Sequence, residues 1–216
     1  MPSCCYERIG LDEIFTEKVL KRDTRRYRAR GIDPRARRVF DEIRKRMELK
    51  NRRTLEVGAG IGGLTIEMAR AGATANAIDA IPFAVKTARI LATEQSVADR
   101  TTFTEADFTT TTPERADVVV LDRVVCCYPD WRALIDKAAA SAEQLLVLSF
   151  PRDNTVARVA ISLVNTWERV LRRTFRLHLH PPELMMQRMR ELGFQPVVTG
   201  HYWLWEIVVA TRGTRG

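Results

Sequence analysis

The stretch TLEVGAGIGGLTIEMARAGA, residues 54–73, sets a carboxylate two residues ahead of a glycine-rich turn. Glu56 sits in an otherwise apolar run, where an unpaired carboxylate costs several kcal/mol once buried. A cationic ligand would offset that cost, whereas an anionic pyrophosphate at close range would be repelled. Gly58, Gly60 and Gly62, with Ala59 between the first two, allow a tight turn and a close ligand approach. The helix that follows would add unsatisfied N–H groups at its first turn. Gly58, Gly60 and Gly63 also satisfy the G-x-G-x-x-G pattern common to nucleotide sites, so the glycines alone select no ligand.

Two further acidic positions end β-prone runs. Asp79, followed by Ala80, closes ATANAID, where a carboxylate can accept from both hydroxyls of a ribose. Asp107-Phe108 closes TTFTEAD, where a carboxylate can accept from an amino group on a base and an aromatic can pack on its ring. Asp122-Arg123 follows DVVVL and leads into VVCCYP, residues 124–129. That stretch holds two of the four cysteines, and the other two are Cys4 and Cys5.

Adjacent cysteines diverge and rarely reach one metal together, so no metal site is assigned, although one thiol from each pair could meet in space. No partner base marks a cysteine nucleophile. The favoured reading has one thiol of Cys126 and Cys127 lining a substrate pocket and the other packed inward. Candidate proton acceptors are Tyr128, His178, His180, His201 and Tyr202, of which His180, ahead of Pro181-Pro182, and Tyr128 are preferred.

The elements that must position these residues follow from periodicity. Residues 12–30 read as one helix capped by Asp12 and ended by Gly31, and a second begins at Asp33-Pro34 with Val39, Phe40, Ile43 and Met47 on one face. Residues 1–52 are thus a basic helical N-terminal extension. From residue 53 to 216, strands at 54–57, 73–79, 101–107, 117–122 and 145–150 alternate with helices at 64–71, 82–94 and 131–142. DVVVLD and LLVLSF lack alternation, as strands covered on both faces do. The expected fold is α/β: a Rossmann-like, doubly wound, mostly parallel seven-stranded sheet closed by an antiparallel hairpin within residues 196–211. A helix over 158–173 carries Val159, Ala160, Leu163, Val164, Trp167, Val170 and Leu171 as one stripe. It is read as part of a lid, about 152–182, with Trp167 facing the substrate and His201 reaching it from the hairpin, and plain packing of the stripe against the core would serve the pattern equally.

Together, E-V-G-A-G-I-G, Asp79 and A-D-F resemble the class I S-adenosylmethionine-dependent methyltransferases over about residues 53–150. The resemblance implies S-adenosylmethionine as cofactor, with its loop at Glu56 to Gly62, its ribose at Asp79 and its adenine at Asp107-Phe108. The segment at Asp122 to Pro129, with LVLSFPRD and HLHPPELMMQRMRELGF, is loosely similar to the magnesium-protoporphyrin O-methyltransferase group. Cysteine stands where that group would have histidine before Tyr-Pro. The implied reaction is in-line methyl transfer to a small-molecule acceptor.

Charge leaves other classes in view. The net charge is +8, and residues 1–53 alone hold 17 Lys+Arg against 9 Asp+Glu. A local basic excess suits RNA, an anionic membrane or an acidic metabolite, and solvated helix faces suit it equally. An RNA methyltransferase is weighed but not favoured, because few aromatics (Tyr6, Phe15, Tyr27, Phe40) interleave the cations. The glycine turn would also serve a NAD-dependent oxidoreductase, or a cofactor-binding protein without turnover. No apolar run approaches the roughly 18 residues of a membrane span, although peripheral membrane contact remains open. MPSCCYERIG lacks a secretory signal pattern, so a cytoplasmic protein with reduced thiols is expected. Oligomeric state is not legible.

Overall fold

The computed structural model describes residues 10–213. Seven strands, β1 (Arg53–Val57), β2 (Thr74–Asp79), β3 (Thr101–Glu105), β4 (Ala116–Asp122), β5 (Ala142–Pro151), β6 (Phe194–Tyr202) and β7 (Trp205–Arg212), form one sheet in the order β3-β2-β1-β4-β5-β7-β6. The first five run parallel, and β7 inserts antiparallel between β5 and β6. The order reverses at β1, where the chain passes to β2 on one side and β4 lies on the other. That switch opens a crevice at the carboxyl ends of the strands.

Successive side chains of β4 feed opposite faces of the sheet. Val119 and Leu121 join a core with Leu134, Ile135 and Phe150, whereas Val118 and Val120 join one with Val39, Ile43 and Leu64. Both faces are covered, by α4 (Gly63–Arg70), α5 (Pro82–Glu94), α6 (Trp131–Ser141) and α8 (Pro182–Glu191), and by the N-terminal helices. This accounts for the unbroken apolar runs of the central strands.

The N-terminal segment departs from the sequence reading in two ways. Residues 12–30 are two helices, α1 (Leu11–Ile14) and α2 (Glu17–Arg30), because Thr16 takes an extended backbone and caps α2 by accepting from the Val19 N–H. Asp12 lies inside α1 and caps nothing. The apolar face expected of α3 (Pro34–Arg44) is present: Val39, Phe40 and Ile43 are buried in the same core as the sheet. Asp33 caps α3 through the Arg35 N–H at 2.9 Å, with Pro34 in its first turn.

The helix α7 (Thr155–Val170) is the other departure. Its apolar stripe faces solvent, and Trp167 is 61% exposed, so Trp167 does not face inward over a substrate. The core face of the sheet is already filled there, and only Ala157 and Glu168 of α7 are buried.

Gly62 shows how tightly the glycine turn is packed. At φ +76, a Cβ there would stand 2.6 Å from the Phe103 ring and 2.9 Å from the Ala88 Cβ. At Gly193, φ +84, it would meet nothing within 4 Å. Gly193→Ala is expected to cost about 1–2 kcal/mol of backbone strain, and Gly62→Ala roughly 2 kcal/mol more from overpacking. Urea-denaturation midpoints of the two variants check the difference.

Candidate functional site

At the end of β1 the chain turns through residues 58–62 into α4, and the Gly58 N–H donates to the Ile78 carbonyl at 2.7 Å. A cavity of about 300 Å³ opens above this turn. Gly60, at φ +55, has open space where a Cβ would stand, so the backbone there is free to be approached. Its N–H donates to Asp79 Oδ2 at 2.7 Å, and Asp79 Oδ1 accepts from the Ile81 N–H at 2.8 Å. The Asp79 carboxylate thereby ties the end of β2 to the turn.

Glu56 is 4% exposed yet lines the cavity. Its Oε2 accepts from the Thr65 N–H at 2.9 Å and from the Thr65 hydroxyl, which satisfies an otherwise orphan donor in the first turn of α4. Among the described residues no hydrogen bond reaches Oε1. Burial pushes the Glu56 carboxyl up to about 7, against the pull of the Thr65 bonds and with added repulsion from Asp79.

At the carboxyl end of β4 stands Arg35, which the sequence reading missed. It is 3% exposed, lies in the cavity wall and pairs with Asp122 through Nη1. Burial, and then repulsion from Arg123, pull its guanidinium down to about 9, still a cation at neutral pH. Asp122 also accepts from the Ser149 hydroxyl. The signal for Arg35 was present: it falls four residues before Val39 and eight before Ile43, on the buried stripe of α3. A cation at an apolar position is as informative as Glu56 in β1. Leu20 and Tyr27 of α2 also reach the cavity, and nothing in their types separated them from core residues.

Most of the expected cofactor residues meet at this cavity. Gly58, Ala59, Gly60, Asp79 and Ala80 border it from the first two strand ends, and Phe108, Asp122 and Arg123 from the next two. Gly62 does not; it packs against Phe103. Nor does Asp107, although its neighbours Ala106 and Phe108 do. Asp107 Oδ1 accepts from the Thr109 N–H and hydroxyl at 2.8 Å each, while its Oδ2 is buried without a partner.

The expected substrate and catalytic residues divide. Cys127 and Tyr128 border the cavity, and Cys126 is buried in the core beside them. Both thiols donate to the Arg123 carbonyl at 3.6 Å, and the bond to Cys127 together with burial holds the Cys126 thiol well above its ordinary range, protonated. Cys4 and Cys5 lie outside the described residues. Tyr128 cannot serve as a base at neutral pH: burial, with the negative charge of Asp107, drives its phenol far above the usual value, and its hydroxyl donates toward Asp107 at 3.4 Å.

His180 is likewise displaced from the expected role. Its Nε2 contacts the Tyr128 carbonyl at 2.9 Å and its ring stacks on His178, outside the cavity wall. Burial lowers the pKa of both histidines. His201 is on the exposed side of β6, 3.9 Å from Glu206, and Tyr202 stacks under Arg38; neither borders the cavity.

A mixed sheet with β7 antiparallel between β5 and β6, its crevice at the β1 switch, a glycine turn and an acidic end on each strand beside β1 together define a class I methyltransferase fold. The chain belongs to the methyltransferase-domain family, whose model matches residues 24–199. The match begins within α2, in the segment read as an extension. A ubiquinone biosynthesis O-methyltransferase of Xylella fastidiosa is 33% identical over 101 residues, which cover 46% of this chain and 41% of that protein. Magnesium protoporphyrin IX methyltransferase from Synechocystis PCC 6803, solved with SAH bound, superposes with a TM-score of 0.75 at 20% identity, covering 93% of this chain and 97% of that one. An O-methyltransferase family protein from Burkholderia thailandensis gives 0.74 at 16% identity, over 96% of this chain and 64% of that one.

The raised Glu56 carboxyl has a definite consequence for stability. Between its ordinary value of 4.5 and about 7 the folded chain holds a proton that the unfolded chain has lost. Stability of the unliganded protein therefore falls as pH rises through that window and levels above it, by roughly 3 kcal/mol from this group. Glu56→Gln keeps the acceptor for Thr65, and is expected to flatten that slope in urea titrations between pH 4.5 and 7.

Proposed function

We propose that this chain is a methyltransferase that binds S-adenosylmethionine and methylates a small-molecule acceptor. The observation that carries the reading is the pair of opposite charges, Glu56 and Arg35, buried in the wall of one cavity. An amino-acid end, with an ammonium and a carboxylate, matches both. Glu56 would take the ammonium through its unengaged Oε1, and Arg35, which Asp122 and Asp33 already flank, would take the carboxylate through its remaining N–H groups.

The remaining residues fit the rest of the cofactor. Asp79 at the end of β2 would accept from the ribose hydroxyls, since each carboxylate oxygen has a second lone pair beyond its backbone bond. The orphaned Asp107 Oδ2 would accept from the adenine amino group, and Phe108 offers apolar surface beside it. When bound, S-adenosylmethionine supplies an electrophilic methyl on sulfur.

The chain's own contribution is to hold, orient and exclude water. Asp122, Arg123, Cys127 and Tyr128 form the wall expected to face the acceptor. Tyr128 stays a phenol whose hydroxyl donates toward Asp107, and His180 Nε2 contacts the Tyr128 carbonyl. With Tyr128 protonated and His180 outside the cavity wall, the site favours acceptors that ionise unaided, such as acidic phenols or carboxylic acids. The O-methyltransferase relatives agree with an oxygen acceptor.

The basic N-terminal helices, the reason for weighing RNA, spend much of their charge internally: Arg28 on Glu94, Arg37 on Glu67, Arg35 on Asp122. No helix among the described residues is long and apolar enough to cross a membrane, and two buried, unpaired thiols suit the reducing cytoplasm.

Calorimetric titration tests the reading. S-adenosylhomocysteine is expected to bind and NADH not to, and Glu56→Gln should weaken the former by roughly tenfold or more, the scale of one charge-assisted bond. Heat from NADH and none from S-adenosylhomocysteine would reverse the assignment. With labelled methyl donor and a panel of phenolic and carboxylic metabolites, the rate is expected to rise with pH through each acceptor's own pKa.

A further inference from the structure

We propose that the outer face of α7 docks on an anionic lipid bilayer. Val156, Val159, Leu163, Trp167 and Val170 recur at three- to four-residue spacing and are each more than half exposed. Such a stripe ordinarily faces a core, but the helix meets the body of the protein through its other side. There Ala157 and Glu168 are buried, and Asn165 donates to the Leu177 carbonyl and accepts from the Leu177 N–H at 2.8 Å each. A second tryptophan stands by the start of the helix: Trp203, in the β6–β7 turn, is 85% exposed, and the Arg152 N–H donates to the carbonyl of its neighbour Leu204 at 2.7 Å.

Charge selects the occupant. Residues 152–177 hold six arginines against Asp153 and Glu168. Arg158 is paired with Asp153 and Arg173 with Glu168, whereas Arg152, Arg169 and Arg172 carry no ion pair among the described residues. A second copy docked on this face about a two-fold axis would bring like charges together. Anionic headgroups complement them, and an apolar face with tryptophan and leucine beside a cationic flank is the pattern of a helix lying in the membrane interface. Because α7 leaves the carboxyl end of β5, a bilayer engaged there lies at the end of the sheet that holds the cavity. An apolar acceptor could then reach the site from the lipid.

Co-sedimentation with vesicles tests this. The full chain is expected to pellet with phosphatidylcholine vesicles containing about 30% phosphatidylglycerol, and at least about tenfold less with phosphatidylcholine alone or in high salt. Leu163→Glu with Trp167→Glu should lower binding at least about tenfold, because a charge replaces each apolar anchor. Arg169→Glu with Arg172→Glu should remove the preference for anionic lipid. Both pairs are exposed, so thermal melting should match the parent; if one pair unfolds, the other carries the test. Failure of the parent to pellet with anionic vesicles, or equal pelleting after both pairs are changed, overturns the proposal. So does a dimer in sedimentation velocity that Leu163→Glu with Trp167→Glu dissociates while vesicles leave the parent unbound.

Discussion

One hydrogen-bonded carboxylate organises this end of the molecule. Glu56 is the fourth residue of β1 and Thr65 the third of α4, and their contact spans the whole glycine turn. The bond gives a buried acid a partner and gives the first turn of α4 an acceptor, so it fixes the angle at which the helix leaves the strand. A carboxylate at a helix N-terminus also gains from the helix dipole. Even so, burial outweighs these gains and leaves the carboxyl near neutrality. The carboxylate is thus incompletely compensated even with the Arg35 cation nearby, and the ammonium proposed for Oε1 would complete it.

Arg35 and Asp122 repeat the device with opposite sign. Each is nearly removed from water, and each depends on the other: Asp122 is held by Arg35 and Ser149, and Arg35 is repelled by Arg123. A buried pair of this kind contributes little net stability compared with apolar side chains, but losing one member leaves an uncompensated charge and is strongly destabilising. Its value is positional. It holds a guanidinium in the cavity wall, near enough to the acid of β1 for each to act on the other's charge, and it draws α3 into the lining of the cavity.

Much of the sheet was legible because its strands and helices have different periods and because Gly and Pro punctuate them. Pro34 and Pro82 open helices, and β4 and β5 read as covered strands. The break between α1 and α2 was missed because Thr16 looks like any helical position until its hydroxyl is seen to accept from Val19. Glu56 was legible as a site residue for a simple reason: a charge in an apolar strand needs a cause. By the same reasoning Arg35 could have been found, had α3 been read for charges on its buried face rather than for its apolar residues alone. The histidines were chosen on residue type, which carries no information on position, and none of His178, His180 and His201 borders the cavity.

The misplacement of Trp167 has a different origin. Hydrophobic periodicity reports that a helix has an apolar face, and not what lies against it. For α3 the answer is the sheet, on the face that it shares with α4 and α5. For α7 the sheet faces were already occupied by α3, α4, α6 and α8, and the helix is held instead by a few polar contacts, Asn165 to Leu177 and Glu168 to Arg173. An apolar stripe left in water costs free energy in proportion to its area, and this one is wide, regular and bounded by cations. Such a surface gains free energy when covered, and its chemistry, apolar at the centre and positive at the flank, matches the order of acyl chain and phosphate in the bilayer proposed for it.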